Sequence, residues 1–490
     1  MLALCLAGTP VVFAQSGGAE EVIKIDAQAP AKPFPHFWEQ VFGSGRANLT
    51  LRESYRRDLN AVREHTGFTY VRFHAILDDE NGVYDEDAQG RPVYNLSYVD
   101  QIYDGLLENH VKPFVELSFM PRKLAANLAP HPFWYKPLPS PPKDPAKWAA
   151  LVEAFTKHLV DRYGKEEVEQ WYFEVWNEPN IDFWNGEPKQ ETYFAFYDVT
   201  AKALKRVDPY IRVGGPATAQ AAWVDAFIAH CKKNNVPFDF VSTHVYGNED
   251  SKDVFGRKLP INRRDMVGAS AKKVFDQVKA SADPDTPIIW SEYNATYMNQ
   301  PEVTDSAFMG PWLANNIREC DGLQSMMSYW SLSDVFEEQG VVKTPFYGGY
   351  GLIAERHLPK AVFWIFDLLH NLGEQRVILQ SDNALLTKRA DGSFVLALWN
   401  YAEPGENTGT KTFRLSVNGL EAKRYRMRYV APGHGSVLED WKKLGSPVSP
   451  TPAEIRALRE RSRLPEAETF PIDRPIALGP ETLAVVEVKP

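Results

Sequence analysis

Residues 173–180 read FEVWNEPN, and the rest of the chain can be interpreted outward from this stretch. Its apolar first half predicts a buried strand, yet that strand ends in Asn177 and Glu178. A carboxyl group at the end of an apolar strand loses hydration, and this loss raises its pKa. Such an acid is either neutralised by a structural partner or placed for proton transfer, and one acid alone does not decide between the two.

Seven further strand-like runs accompany this one, and stretches with apolar residues three and four apart separate them, as in amphipathic helices. The eight runs cover residues 37–43, 69–75, 112–119, 171–178, 211–217, 240–246, 287–293 and 325–330. This α/β alternation predicts a (β/α)8 TIM barrel over residues 36–372. A doubly wound open sheet is the alternative, but no glycine-rich phosphate turn follows the first strand and the strand count reaches eight.

The pattern changes after residue 373, where apolar residues alternate with period two and turn signals such as DG and NG appear. This predicts a C-terminal antiparallel β-sandwich domain over residues 373–490. Residues 16–35 contain the strand-like run EEVIKID and are expected to pair with that domain. Residues 1–15 are apolar and uncharged and end in VFAQ, which predicts a signal peptide and a secreted or periplasmic protein.

The composition limits the possible partners. A formal charge of −10 over 490 residues argues against nucleic acid and anionic membrane surfaces, which require clustered Lys and Arg. We therefore expect a small neutral substrate, no nucleic-acid or membrane partner and no cofactor. No Cys/His spacing indicates a metal site, and Cys231 and Cys320 allow at most one disulfide in the mature chain. The oligomeric state is left open.

Polar groups occupy the ends of the predicted barrel strands, and in such barrels these ends meet at one mouth. They are His74, Asn177, Glu178, His244, Tyr246, Glu292 and Trp330. Two carboxyl groups facing each other across a pocket can cleave a glycosidic bond, one as a proton donor and one at the anomeric carbon. The histidines could instead be core residues with satisfied hydrogen bonds, and we interpret Glu116 and Glu174 as interior polar residues.

Three longer strings carry a family resemblance. EVWNEPN (174–180), IIWSEYNA (288–295) and YWSLSDVFEE (329–338) resemble glycoside hydrolase family 39, which contains β-xylosidases and α-L-iduronidases. The Asn-Glu-Pro step is shared by a whole clan of barrel hydrolases, so it indicates only the mechanism class. The longer strings are more specific, and the resemblance extends over about residues 20–490.

The resemblance implies a role for each strand-end residue. Glu178 corresponds to the general acid/base and Glu292 to the nucleophile of a retaining mechanism. Asn177 resembles the partner of the sugar 2-hydroxyl. The remaining counterparts contact the sugar: His74, His244 and Tyr246 in the glycone subsite, Trp330 as the platform beneath the ring, and Glu338 at the ring hydroxyls. Tyr293 stands where family xylosidases can carry a second acid, so these hydroxyl contacts are expected to differ.

The leading hypothesis is a retaining exo-β-D-xylosidase that releases xylose from the non-reducing ends of short xylo-oligosaccharides. The sequence suggests no Lys or Arg beside the catalytic strand ends, which favours a neutral pentose over a uronate. One alternative is a related retaining glycosidase that acts on another sugar, such as an α-L-arabinoside or an iduronide-like unit. Another is a catalytically inactive carbohydrate-binding barrel.

Overall fold

The computed structural model describes residues 20–489, so the predicted signal segment lies outside the described residues. Eight parallel strands close into a barrel, and their order around the barrel follows the chain. They are β1 (Val41–Arg46), β2 (Tyr70–His74), β3 (Lys112–Glu116), β4 (Tyr172–Glu174), β5 (Arg212–Thr218), β6 (Phe240–Tyr246), β7 (Ile288–Asn294) and β8 (Met326–Tyr329). The predicted eight-stranded parallel barrel is confirmed.

One main helix follows each barrel strand. The helices are α1 (Glu53–His65), α2 (Ser97–Leu107), α3 (Pro145–Tyr163), α4 (Lys189–Val207), α5 (Val224–Asn234), α6 (Met266–Lys279), α7 (Met309–Cys320) and α8 (Ala361–His370). Helix α3 illustrates their construction: the Asp144 carboxylate caps its first turn, Pro145 follows and Gly164 ends it. Its buried residues recur at helical spacing, so one stripe covers the barrel.

The barrel interior is layered. Near the amino ends of the strands, side chains from five of the eight strands form an apolar floor of Val41, Phe114, Phe240, Ile289 and Met326. Two residues further along a strand the side chain points inward again. Glu116 and Glu174 occupy this next layer, fully buried as the sequence analysis expected. The predicted site residues follow one step above, at the carboxyl ends.

The C-terminal region forms two sheets. The larger has seven strands, in the order Ala31–Pro33, Gln375–Val377, Ala384–Lys388, Phe394–Asn400, Thr482–Val488, Arg424–Val430 and Glu468–Pro471. The smaller has three: Glu21–Asp26, Lys411–Asn418 and Ile476–Leu478. Residues of both sheets, such as Ile23, Phe413, Leu396 and Val486, share one apolar core. The predicted sandwich is therefore visible in part.

One strand pair of these sheets is parallel, although the C-terminal domain was predicted to be antiparallel and no direction was predicted for the N-terminal segment. Glu21–Asp26 pairs with Lys411–Asn418 in parallel, whereas Ala31–Pro33 pairs antiparallel with Gln375–Val377. The whole barrel lies between the two members of the parallel pair, so no tight turn dictates their relative direction. A helical insert (Leu438–Lys443 and Pro452–Arg461) leaves this domain, and its Trp441 and Leu458 pack with Phe346 of the last barrel loop.

Two further findings concern the described part of the chain. Between residues 20 and 489, no helix combines the length and the apolar character that crossing a bilayer requires. Cys231 and Cys320 are both buried and free. They lie on α5 and α7, which α6 separates by packing against both, so the disulfide that the sequence allowed does not form.

Candidate active site

The carboxyl ends of the barrel strands surround a pocket of about 300 Å³. It is lined by seven of the eight predicted site residues: His74, Asn177, Glu178, Tyr246, Glu292, Trp330 and Glu338. The eighth, His244, is fully buried behind them and contacts both acids. The fold thus collects residues from β2, β4, β6, β7 and β8 in one place.

Glu178 and Glu292 face each other across this pocket. One carboxylate oxygen of each, together with a ring nitrogen of His244, all lie within 4.8 Å of one another. The backbone after β4 turns sharply, with positive φ angles at Trp176 and Glu178 (74° and 44°) that non-glycine residues rarely adopt. A hydrogen bond from the Glu178 amide to the Ala217 carbonyl (2.7 Å) holds this turn on β5.

The surroundings of Glu178 keep it protonated. Burial, followed by the negative charge of Glu292, raises the pKa of Glu178 well above its ordinary value. Its Oε1 lies 3.0 Å from Nδ1 of His244, whose Nε2 lies 3.0 Å from the Ser291 hydroxyl. Burial lowers the pKa of His244 well below its usual range, so this imidazole is neutral. Glu178 and the neutral His244 therefore share one transferable proton, which lies beside the pocket.

Two side chains donate hydrogen bonds to the carboxyl group of Glu292. Arg72 Nη1 donates to its Oε1 (2.7 Å) and the Tyr246 hydroxyl donates to its Oε2 (2.7 Å). Burial and the neighbouring Glu292 raise the pKa of Tyr246 well above its ordinary value, so this hydroxyl remains a donor. Glu178 is thus placed as a proton donor, and two donated hydrogen bonds orient the carboxyl group of Glu292.

Arg72 corrects the expectation that no cation lies beside the catalytic strand ends. It is fully buried, and its guanidinium contacts four acceptors: Glu116 Oε2 (2.8 Å), Glu174 Oε2 (2.6 Å), Glu292 Oε1 (2.7 Å) and Asn177 Oδ1 (2.9 Å). It lies two residues before His74, so alternation along β2 directs it to the same interior. Because its donors are committed to these acceptors, it is not available to bind a substrate carboxylate.

The same network orients other polar residues of the pocket. The Asn177 carbonyl oxygen accepts from Arg72, and Asn177 lines the pocket. His74 Nδ1 lies 2.7 Å from Glu116 Oε2, and its Nε2 lies 3.7 Å from Glu338. Burial alone would lower the pKa of His74, but the Glu116 carboxylate raises it above the ordinary value. Burial raises the pKa of Glu338 to about 8.

Trp330 forms an aromatic wall. Its ring lies 4.8 Å from that of His74 and 5.8 Å from that of Phe336, between centroids. Gly43 of β1 permits this position, because a Cβ added there would overlap the Trp330 ring. A ring face of this kind is suited to the C–H groups of a sugar. Trp330, the predicted platform residue, therefore lines the pocket, and its ring packs against Gly43.

Several lining residues were not predicted from the sequence. His131, Phe183, Tyr297 and Tyr350 line the pocket from loops rather than from strand ends. His131 stacks on Phe183 with centroids 4.0 Å apart, and the Tyr350 hydroxyl donates to the Tyr297 carbonyl (2.7 Å). Loop residues carry no strand periodicity, so only the folded chain identifies them. Arg72, by contrast, was detectable from its alternation with His74.

The acids and His244 also have the spacing of a metal-binding group. Metal ligation requires deprotonated carboxyl groups, whereas burial favours the protonated form of Glu178. The arrangement is better suited to proton transfer, because Glu178 favours its protonated form and lies across the pocket from the carboxyl group of Glu292. No Lys or Arg is among the lining residues of the pocket in the described chain.

The chain as a whole is similar to known glycoside hydrolases. The family model of glycosyl hydrolases family 39 matches residues 21–475. A β-xylosidase of Geobacillus stearothermophilus is 35% identical over 89% of this chain and 88% of its own length. The crystal structure of a monomeric β-xylosidase from Caulobacter crescentus CB15 superposes with a TM-score of 0.86 at 31% identity, over 96% of this chain and 99% of that chain. A mouse α-L-iduronidase is 24% identical over 57% of this chain and 43% of its own.

The family match extends through the barrel and most of the C-terminal region, and the β-xylosidase similarity covers both proteins nearly end to end. These matches and the paired acids at the barrel mouth lead to one conclusion. The chain belongs to glycosyl hydrolases family 39 and is a glycoside hydrolase.

Proposed function

We propose that this protein is a retaining exo-β-D-xylosidase that acts on the non-reducing ends of short xylo-oligosaccharides. One observation carries the mechanistic part: oxygens of Glu178 and Glu292 lie within 4.8 Å of each other. Retaining enzymes place their carboxyl groups about 5–5.5 Å apart, whereas inverting enzymes need about 6.5–9.5 Å to admit a water molecule. The observed spacing supports double displacement.

In the first step, Glu292 attacks the anomeric carbon while Glu178 donates its proton to the departing glycosidic oxygen. The bond from the anomeric carbon to that oxygen breaks, and a covalent glycosyl ester with Glu292 forms. Asn177, oriented by Arg72, is placed to donate its amide hydrogen to the 2-hydroxyl. Tyr246 and Arg72 hold the nucleophile, so little reorganisation is needed as charge shifts onto the sugar ring.

In the second step, Glu178 acts as a base. Once Glu292 is esterified its negative charge is gone, and one cause of the raised pKa of Glu178 disappears with it. The pKa of Glu178 then falls, so its carboxylate accepts a proton from the water that attacks the anomeric carbon. Hydrolysis of the ester regenerates the Glu292 carboxylate, and the raised pKa of Glu178 returns.

Two features support a neutral pentose as the glycone. The pocket of about 300 Å³ lies at the small end of the range for ligand sites, which fits one terminal sugar unit. A uronate would require a free cation, whereas Arg72 is fully buried and all three of its guanidinium nitrogens bind protein acceptors. The high-coverage similarity to a β-xylosidase favours xylose in particular.

Residues 1–15 further support a secreted or periplasmic location as part of this proposal.

A panel of aryl glycosides tests the proposal. The aryl β-D-xylopyranoside should be hydrolysed with the highest kcat/KM, ahead of the α-L-arabinopyranoside, the α-L-arabinofuranoside and the α-L-iduronide. Proton NMR of the first product should detect β-xylose, the retained anomer. Faster turnover of another glycoside would overturn the xylose assignment, and first-formed α-xylose would overturn the retaining mechanism. An inactive binding barrel predicts no turnover of any substrate.

A further inference from the structure

A second histidine–carboxylate group lies at the opposite end of the barrel from the active site. His36 and Glu39 lie where the chain enters β1, and His370 is the last residue of α8. The Nδ1 atoms of His36 and His370 lie 2.7 Å and 2.9 Å from the same oxygen, Oε1 of Glu39. In residues 20–489, only this group and the Glu178–His244–Glu292 group bring three such donor atoms within 4.8 Å of one another.

The polar atoms of this group are incompletely satisfied. Glu39 is 1% exposed, and its second oxygen has no hydrogen-bond partner in the described structure. The Nε2 atom of His36 is likewise buried without a partner. A buried carboxylate oxygen without a partner is costly, because its hydration is lost without replacement. His370, whose side chain is 43% exposed, connects the group to an open cleft between the barrel and the C-terminal sheets.

We propose that His36, Glu39 and His370 form a binding site for a zinc ion. Two imidazole nitrogens and one carboxylate oxygen are the ligand types that Zn²⁺ accepts, and water from the cleft would complete four-coordination. Calcium and magnesium require sets of oxygen ligands, which this group does not offer. Both Nδ1 atoms already point at one carboxylate oxygen, so the ion would replace the hydrogens between them, with each imidazole carrying its proton on Nε2.

The geometry needs only a small expansion. Tetrahedral zinc with bonds of about 2.0–2.1 Å separates its ligand atoms by roughly 3.3 Å. The observed separations of 2.7 Å and 2.9 Å must therefore widen by about half an ångström. The partly exposed His370 can supply that movement at the end of α8. Because the ligands come from opposite ends of the barrel sequence, motif spacing could not reveal them.

The site serves structure rather than catalysis. Its ligands precede β1 and end α8, so they lie at the base of the barrel, away from the carboxyl ends that carry the chemistry. A bound ion would join the first and last elements of the barrel beside Gln375–Val377, the strand that begins the C-terminal sheet. An ion that binds only the folded chain stabilises it by mass action.

Isothermal titration of the EDTA-treated full chain with zinc chloride tests this proposal. We expect one binding event in the wild type and at least tenfold weaker zinc binding in His370→Ala, whose partly exposed position makes misfolding a small risk. His65→Ala is the matched control, because His65 also pairs its Nδ1 with a carboxylate (Asp367, 2.9 Å) but has no second histidine there. Zinc should raise the Tm of the wild type and of His65→Ala, and not that of His370→Ala.

Three results would overturn the proposal. One is the absence of zinc binding up to a zinc concentration of about 1 mM. Another is equal affinity in the wild type and in His370→Ala. The third is zinc binding that only inhibits glycoside hydrolysis and persists in His370→Ala, since this would place the ion at the catalytic acids. An anomalous zinc signal between His36, Glu39 and His370 in a crystal would support the proposed site.

Discussion

Replacing Glu178 by Ala removes the proposed acid/base while leaving the nucleophile and its donors in place. General acid catalysis contributes about 10²–10⁴-fold, or roughly 2.7–5.5 kcal/mol of barrier. The glycosylation step should lose this factor only where the leaving group needs a proton. For xylobiose, whose leaving group is a poor alkoxide, we therefore expect kcat/KM to fall by about 10²–10⁴.

The dinitrophenolate group of a dinitrophenyl xyloside departs without protonation. The kcat/KM for this substrate should therefore fall by no more than about tenfold. Its kcat should fall far more, because the missing base also slows hydrolysis of the glycosyl ester. Azide fits the space that the deleted carboxyl group leaves and needs no base. Added azide should therefore restore kcat and yield β-xylosyl azide.

The assay compares both substrates in steady state, with and without azide, and identifies the azide product by NMR. In the wild type, azide should change kcat much less than in Glu178→Ala. The difference in kcat/KM between the two substrates should also be smaller in the wild type. Equal losses on xylobiose and the dinitrophenyl xyloside would refute the role of Glu178 as the acid. An azide product of α configuration would refute attack on a covalent intermediate held by Glu292.

Three further variants test the surroundings of the acids. Gly43→Ala should push the Trp330 ring from its position and raise KM, with an overpacking cost of about 1–3 kcal/mol. Arg72→Lys cannot serve the same set of acceptors, so kcat/KM should fall at least about tenfold as charged hydrogen bonds are lost. Glu249→Gln removes a negative charge that raises the pKa of Glu178, so the alkaline limb of the kcat/KM profile should move to lower pH.

Controls separate these effects from general damage. Gly479→Ala places a Cβ in open space and should leave KM and Tm unchanged. An unchanged KM in Gly43→Ala, or full activity in Arg72→Lys, would contradict the positioning described above. The direction of the shift in Glu249→Gln follows from the role of Glu178 as the acid. Activity is lost as the pH rises through the pKa of Glu178, so a lower pKa moves this loss to lower pH. A shift to higher pH would contradict it.

The barrel was predictable because each of its strands is buried on both faces and reads as an apolar run that ends in polar residues. The strand ends then identified Glu178 and Glu292 without any knowledge of their distance. Arg72 was missed because an arginine inside an apolar strand is unusual, and its buried partners Glu116 and Glu174 lie on other strands. Only the closed barrel brings these three charges together.

Contacts between segments far apart in the sequence could not be predicted. The parallel pairing of Glu21–Asp26 with Lys411–Asn418 joins segments almost 400 residues apart, and neither strand carries a signal for the direction of its partner. The same holds for the loop residues of the pocket, His131 and Tyr350, whose positions depend on contacts made after the barrel closes. Local sequence patterns specify elements, whereas these contacts depend on the assembled chain.

The central claim is that Glu292 attacks the anomeric carbon of the sugar while Glu178, across the pocket, donates the proton to the leaving group. A 2-deoxy-2-fluoro-xylosyl fluoride reacts with the nucleophile, and the fluorine slows hydrolysis of the resulting ester. Mass spectrometry of the digested, inactivated enzyme should find the fluoroxylosyl label on the carboxylate of Glu292. A label on any other residue, or full turnover of the reagent without inactivation, would contradict the account.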